Sequence, residues 1–166
     1  MMEYLIRRAK PGDEAVLAHV QTESWKAAFQ GILPADALQA ATQLDRVTAM
    51  YRRILEQNYG YLYLLTVDGN PHGIAAWGAT RSEDMPGYAE LICIHSLPGN
   101  WRKGFGSKLM STVLQDMKEA GYKKVMLWVF EENSRARQFY EACGFTTAGK
   151  VKPDFEPTEL CYEKEL

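Results

Sequence analysis

The sequence predicts a single α/β domain built on one mixed β-sheet, and three observations support this. Its 166 residues are enough to bury one sizeable hydrophobic core. Apolar residues recur with strand spacing in some segments and with helical spacing in others. No internal repeat, low-complexity tract or interdomain linker interrupts the chain, so we expect residues 1–166 to form one domain.

The first third of the chain is predicted to form one strand followed by helices. Residues 4–9 alternate between apolar and polar side chains, and the turn sequence KPGD ends the alternation. Asp13 is expected to cap a helix over 14–29. A short helix over 34–41, opened by a proline, and a longer one over 44–58 follow.

The middle of the chain is predicted to form three strands and one amphipathic helix. Residues 61–67 and 73–80 flank the turn sequence DGN and predict a hairpin. Residues 88–97 form a further strand. The stretch NWRKGFGSKLM, at 100–110, then opens a helix whose apolar stripe ends near Gly121.

The last third is predicted to continue the sheet. Residues 124–130 are typical of a buried strand, and 133–144 predict a helix that a glycine ends. Segments 145–149 and 159–166 are expected to form the closing strands.

Composition and charge exclude several classes of function. The formal net charge is −2, so no broad basic field is available to bind nucleic acid or an anionic membrane. The amino-terminal residues lack the apolar stretch of a signal peptide, and no segment is long and apolar enough to span a bilayer, so we expect a cytoplasmic protein. The three cysteines, Cys93, Cys143 and Cys161, lack metal-site spacing and predict neither a disulfide nor a metal site.

The glycine-rich stretch offers a candidate anion site. A turn between a strand and a helix points backbone N–H groups and the positive end of the helix dipole at one spot. Gly104 and Gly106 allow close approach, Arg102 and Lys103 add positive charge, and Ser107 adds a hydroxyl. The alternative is an ordinary surface loop with solvated cations. The spacing matches neither a P-loop nor a dinucleotide-binding fingerprint.

The stretch resembles the acyl-CoA loop of the GNAT N-acetyltransferase superfamily, whose pattern is [QR]-x-x-G-x-[GA]. A second block, VMLWVFEENSRARQFYEACGF, is similar to the family's fifth strand and fourth helix. The sequence departs from the family pattern at Trp101, where Gln or Arg is usual, and at Ser96, where Val is usual. The family residues of the second block stand here as Asn133, Ala136, Phe139, Tyr140, Gly144 and Phe145.

The resemblance implies a GNAT-type fold and acetyl-CoA as cosubstrate. The fold is a single mixed, twisted sheet with helices on both faces, and its fourth and fifth strands splay apart to admit the pantetheine arm. The resemblance assigns acetyl-CoA binding to two strand positions, the glycine loop and one helix cap: Ile94, Ser96, Arg102, Lys103, Gly104, Phe105, Gly106, Ser107 and Asn133.

The resemblance also implies transfer of an acetyl group to a primary amine by direct attack in a ternary complex. An amine with a pKa of about 10 must lose a proton before it attacks. Glu90 stands where lysine-acetylating members carry a catalytic glutamate, acting directly or through water; a solvated strand-end glutamate is the alternative. His95 is a second candidate base, although a regular strand places it on the face opposite Glu90. Tyr140 matches the tyrosine that protonates the leaving thiolate, and a place in the apolar stripe of its helix is the alternative.

Three functions stay open at this point: a small-molecule amine acetyltransferase, a peptide N-terminal or lysine acetyltransferase, and an acyl-CoA-binding sensor without turnover. The family's acceptor site is built from the first helices and closing strands, so Trp25, Phe29 and Tyr51 are candidates to line it, with helical core packing as the alternative. The acidic segment 154–159 is either an attraction for a cationic acceptor or a solvated loop. Homodimers built through the sheet are common in the family, so a homodimer is a further expectation.

Overall fold

A computed structural model describes residues 2–152 and 157–166 of the chain. Within these residues the chain forms seven strands and five α-helices, with a 3₁₀ turn at Pro98–Asn100. In chain order the elements are β1 (Tyr4–Arg8), α1 (Glu14–Ala28), α2 (Ala35–Ala41), α3 (Leu44–Gln57), β2 (Tyr61–Val67), β3 (Asn70–Ala79), β4 (Ala89–Ser96), α4 (Phe105–Glu119), β5 (Lys124–Phe130), α5 (Ser134–Ala142), β6 (Thr146–Val151) and β7 (Glu159–Glu165). Each predicted strand and helix is confirmed, with boundaries shifted by a few residues.

The seven strands form one mixed sheet in the order β1-β2-β3-β4-β5-β7-β6. Strands β4 and β5 are parallel, and the other neighbours are antiparallel. The helix α4 makes the crossover between the two parallel strands, as a parallel pair requires.

The parallel pair at the centre of the sheet separates soon after it begins. Only Ala89 with Val125 and Glu90 with Met126 are in register between β4 and β5. Beyond these two pairs β4 continues along β3, while β5 stays paired with β7 over its whole length. The expectation of splayed fourth and fifth strands is therefore confirmed.

Helices cover both faces of the sheet, as the sequence predicts. On one face α4 buries an apolar stripe that includes Leu109 and Met117, and α5 contributes Tyr140 to the same core. On the other face α1 and α3 pack through residues such as Leu17 and Tyr51. The sheet thus separates two cores, one beneath each helical layer.

The two predicted helix caps have different outcomes. The Asn133 side chain accepts a hydrogen bond from the Ala136 N–H at 3.3 Å, so Asn133 caps α5. Asp13 precedes α1 but makes no side-chain cap, and that prediction was wrong. Its carboxylate instead accepts bonds from the Arg7 guanidinium at 2.8 and 3.0 Å and from the Lys10 N–H at 2.8 Å. The carboxylate is thus held by a charged donor and by the backbone of the preceding turn rather than by the N–H groups of α1.

A β-bulge changes the faces along β4. Ala76 of β3 pairs with Cys93, and the next residue pairs with Leu91, so Ile92 is an extra residue on β4. Leu91 therefore joins the core under α4, whereas Cys93 joins the core under α1 and α3. Regular alternation would put Glu90 and His95 on opposite faces. That expectation was wrong. Because the bulge shifts the alternation by one residue, the Glu90 and His95 side chains both face the α1 layer.

A glycine fixes how closely β3 approaches the end of β4. A Cβ added at Gly73 would lie 3.0 Å from the His95 carbonyl oxygen and 3.3 Å from the Ser96 Oγ. We expect Gly73→Ala to lower the free energy of unfolding by about 1–3 kcal/mol, because β4 must shift.

Gly78→Ala, on the same strand, is the matched control. Its added Cβ would have only ordinary contact, with the nearest atom 4.0 Å away, and we expect a change under about 1 kcal/mol. Urea unfolding measures both variants. Equal stabilities would contradict the close approach at Gly73.

Candidate active site

A cavity of about 840 Å³ occupies the gap between the diverging ends of β4 and β5. Residues 92–96 form one side of it and residues 128–130 the other. The first turn of α4 and the α5 helix border it from one face of the sheet, and α1 and α3 border it from the opposite face. The cavity therefore passes through the sheet.

The loop before α4 has the geometry of an anion site. Arg102 and Gly104 both have left-handed backbone conformations, with φ of 64° and 83°. Gly104 immediately precedes the helix, whose first N–H groups have no intrahelical partners. Backbone N–H groups in such a loop converge on one side and favour a phosphate. Among the described residues, no carboxylate forms an ion pair with Arg102 or Lys103, which also line the cavity.

Trp101 ties this loop to the end of β4. Its Nε1 donates to the Ser96 carbonyl oxygen at 3.0 Å. The Arg135 guanidinium, from the first turn of α5, stacks on the indole with its Cζ 3.4 Å from the ring centre. The residue that departs from the family pattern thus joins the two sides of the cavity, and Arg135 adds a third cation to the loop end.

Tyr140 reaches the cavity from α5. The ring is buried against Phe139, Phe145 and Tyr162, and the side chain lines the cavity. Burial raises the pKa of the Tyr140 hydroxyl well above its usual value, and the neighbouring Cys93 thiol raises it further. The phenol is therefore protonated at neutral pH and can donate its proton.

Glu90 is buried in an ion pair. Its carboxylate accepts bonds from Arg81: the backbone N–H at 2.9 Å, Nε at 3.2 Å and Nη2 at 2.6 Å. The side chain of Glu90 is only 3% exposed. Of the two partners, Arg81 lines the cavity, and Glu90 is not among the described residues that do.

His95 lines the cavity opposite α1. Its Nε2 accepts a hydrogen bond from the Trp25 Nε1 at 3.0 Å, which places the proton of the neutral ring on Nδ1. Burial, together with the positive charge of Arg135, lowers the pKa of His95 to about 4. His95 is therefore neutral at physiological pH.

Comparisons with known proteins agree with this geometry. The family model described as acetyltransferase (GNAT) family matches residues 18–145. The chain belongs to the acetyltransferase (GNAT) family. As a member of this family it is an acetyltransferase that uses acetyl-CoA, and the resemblance seen in the sequence is confirmed.

Individual relatives are similar over most of the chain. An uncharacterised N-acetyltransferase of Bacillus subtilis, YuaI, is 28% identical over 137 residues, which cover 82% of this chain and 77% of that protein. A probable N-acetyltransferase of Mycobacterium tuberculosis is 26% identical over 147 residues, covering 88% of this chain and 82% of that protein. The crystal structure of the PaiA N-acetyltransferase of Thermoplasma acidophilum, a complex with coenzyme A, has a TM-score of 0.82 at 22% identity and covers 99% of both chains. That likeness shows the fold.

The GNAT cavity gathers most residues that the sequence singled out. Phe105 instead points into the core under α4, so only its backbone belongs to the loop. The lining residues from the predicted set are Ile94, Ser96, Arg102, Lys103, Gly104, Gly106, Ser107, Asn133 and Tyr140, together with the acceptor-site candidates Trp25, Phe29 and Tyr51.

Part of the predicted acidic segment can be placed. Glu159 lines the cavity, and its carboxylate lies 3.2 Å from the Lys152 ammonium. Residues 154 and 156 lie outside the described residues. Thus one carboxylate of this segment lines the cavity, and its negative charge is balanced by the ion pair with Lys152.

Two residues of the cavity lining, Arg81 and Arg135, were missed by sequence reasoning. Arg81 lies in the loop after β3 and Arg135 in the first turn of α5, and no local pattern distinguishes them from surface cations. His72 lies outside the cavity lining; it is 4% exposed, lies edge-on to the Phe105 ring and has an Nε2 without a hydrogen-bond partner among the described residues. It is the extra residue of a second bulge, between β2 and β3, which turns it toward α4.

Neither a metal-ligand cluster nor a membrane-spanning helix occurs in the part of the chain that the structure describes. It holds no cluster of three or more His, Cys, Asp or Glu side chains arranged for a metal. None of its helices is long and apolar enough to cross a membrane.

The lowered pKa of His95 predicts a pH-dependent stability. Between pH 6.5 and pH 4 the unfolded chain binds a proton at this histidine and the folded protein does not. The free energy of unfolding therefore decreases as the pH is lowered through this window. The slope is at most about 1.4 kcal/mol per pH unit. His95→Gln keeps an acceptor for the Trp25 indole without titrating. We expect the stability of the wild type, relative to this variant, to fall from pH 6.5 to pH 4 in urea unfolding. Parallel pH curves would contradict the assigned protonation state.

Proposed function

We propose that this GNAT protein transfers an acetyl group from acetyl-CoA to the primary amine of a small molecule, by direct attack in a ternary complex. One observation carries the proposal. A single cavity joins the cationic loop before α4, the protonated Tyr140 and the space beneath α1 and α3. Two substrates that enter from opposite faces of the sheet can therefore meet beside Tyr140.

The loop end of the cavity fits the charged part of acetyl-CoA. The N–H groups at the start of α4 and the side chains of Arg102, Lys103 and Ser107 would hold the pyrophosphate. The backbone of Ile94 and Ser96 would bind the pantetheine arm along β4, and Asn133 would border it from α5. Gly106, in the first turn of α4, also lines this end of the cavity.

The reaction replaces a carbon–sulfur bond with a carbon–nitrogen bond. The ammonium form of the acceptor loses two protons, one before it attacks and one as the amide forms; the leaving sulfur gains one proton, and one net proton goes to solvent. Tyr140 is proposed to supply the proton that the sulfur gains, since its hydroxyl is protonated and its side chain lines the cavity. The phenol regains a proton from solvent after product leaves. Tyr140 and the loop thus act on different parts of the same substrate.

The amine proton is proposed to leave through water to Glu90. Arg81 separates Glu90 from the cavity, so direct contact between the carboxylate and the amine is blocked. A shift of the Arg81 side chain, which is 66% exposed, would free a carboxylate oxygen for the relay. His95 is the weaker candidate, because its pKa is lowered and its Nε2 already accepts from Trp25.

The proposed domain organisation, cellular location and oligomeric state rest on the sequence. We propose that residues 1–166 act as one acetyltransferase domain in the cytoplasm. The homodimer expected from the family stays a prediction, as does the alternative of a peptide acceptor.

Acetyl-CoA binding is tested at Gly106. A Cβ there would have ordinary contact with the Phe139 ring at 3.5 Å, so Gly106→Asp is expected to fold. The added negative charge faces the site of the pyrophosphate, and we expect calorimetry to show at least about a 100-fold weaker affinity for acetyl-CoA.

Ser111→Asp places the same charge on an exposed position of α4 and is the matched control. It is expected to keep the wild-type affinity, and ATP should not displace acetyl-CoA. If both variants bind equally well, the loop assignment is wrong.

The role of Tyr140 is tested by Tyr140→Phe. We expect kcat for thiol release with an accepted amine to fall about 100-fold, with the calorimetric affinity for acetyl-CoA nearly unchanged. Tyr122→Phe is the control, because its ring packs on Trp77 at a distance of 5.7 Å outside the cavity lining. A sensor without turnover would bind acetyl-CoA and release no thiol in any of these proteins.

A further inference from the structure

The two halves of the cavity differ in composition. This inference rests on the proposed function, which places acetyl-CoA at the loop end, on the α4 and α5 side of the sheet. The acceptor must then enter on the α1 and α3 side. We call that space the acceptor half, and its walls come from α1, α3, β4 and β5.

Aromatic rings line the acceptor half where β4 and β5 diverge. Trp25 of α1 and Phe29, which immediately follows α1, are in edge-to-face contact with ring centres 5.1 Å apart. Phe29 meets Phe130 of β5 in the same geometry at 5.0 Å. Trp128 faces the same side, because it packs with Met126 on the face opposite the α4 core. We call these four residues the ring wall.

Two pairs of polar groups beside the ring wall are hydrogen-bonded to each other within the protein. The Tyr51 hydroxyl donates to the Gln21 carbonyl oxygen between α3 and α1. The Trp25 indole donates to His95 at 3.0 Å. Met50 and Ile54 of α3 complete the lining with apolar surface. An acceptor here would gain more from apolar contact than from new hydrogen bonds to these side chains.

The charged groups of the acceptor half are likewise neutralised. Arg81 pairs with Glu90 at 2.6 Å, and Glu159 pairs with Lys152 at 3.2 Å. Among the described residues that line this half, no carboxylate is left to bind a second or third ammonium group. A polyamine would therefore place its additional charges against rings and aliphatic side chains.

We propose that the acceptor is a primary arylalkylamine, whose aromatic ring packs against the ring wall while its amine reaches toward Tyr140. Edge-to-face rings leave flat surfaces and ring edges that match another aromatic ring better than a flexible chain. The protonated amine gains from the neighbouring π faces before it gives up its proton. The ring fixes the distance between the amine and the reacting carbon.

Steady-state kinetics at saturating acetyl-CoA test this with four amines: 2-phenylethylamine, ethylamine, n-hexylamine and spermidine. We expect kcat/KM for 2-phenylethylamine to exceed that for ethylamine by at least about 30-fold, and to exceed those for n-hexylamine and spermidine. Preference for spermidine or n-hexylamine, with efficient turnover, would overturn the inference and leave the proposed function standing.

Variants at Phe130 test the ring wall itself. Phe130→Ala is expected to lower kcat/KM for 2-phenylethylamine about 10-fold, to change that for ethylamine little, and to keep the affinity for acetyl-CoA. Phe130→Tyr retains the ring and is expected to restore the preference. An equal effect of Phe130→Ala on both amines would overturn the inference.

A binding measurement separates the two levels of the proposal. Trp25 and Trp128 belong to the ring wall, so tryptophan fluorescence of the CoA-bound protein should respond to 2-phenylethylamine at concentrations at least about 10-fold below those needed for ethylamine. Tight binding of the aryl amine without thiol release would support the acceptor assignment and overturn the proposed turnover. Equal binding of both amines would overturn the acceptor assignment.

Discussion

The separation of β4 from β5 after two paired residues is the constraint on which the rest of the site depends. Backbone groups on the facing edges of the two strands cannot pair with each other beyond that point, and buried backbone groups need partners. The gap persists because each strand is held on its other edge, β4 by β3 and β5 by β7. A substrate with amide groups can take the place of the missing strand contacts.

The two ends of the cavity in this gap differ in charge. At one end Arg102, Lys103 and Arg135 lie near the positive end of the α4 dipole, so this end attracts anions. At the other end the charges are paired and aromatic rings dominate the surface. Tyr140 lies between these environments, where burial keeps its hydroxyl protonated. One cavity can thus hold a polyanionic cosubstrate and an apolar acceptor without mixing their binding surfaces.

Local patterns predicted the elements and the position of the glycine loop before α4 well, because these features depend on residues close together in the chain. Strand alternation, helical stripes and two glycines beside two cations are all readable without a fold. The side of the sheet that the His95 side chain faces could not be predicted from local patterns. The bulge at Ile92 that sets it arises only when β4 pairs with β3. The partner of Glu90 was hidden for the same reason, since Arg81 becomes its neighbour only when β3 and β4 pair.

The sequence by itself determined the order of strands and helices and the loop before α4, because hydrophobic periodicity and turn chemistry act over a few residues. The motif that contains Asn133 and Tyr140 came from the resemblance to the GNAT family. Only the tertiary structure decided that Trp101 ties the loop to Ser96, that Arg81 covers Glu90 and that Trp25, Phe29 and Phe130 meet in one wall. These contacts join residues up to about a hundred positions apart, and packing rather than local preference brings them together.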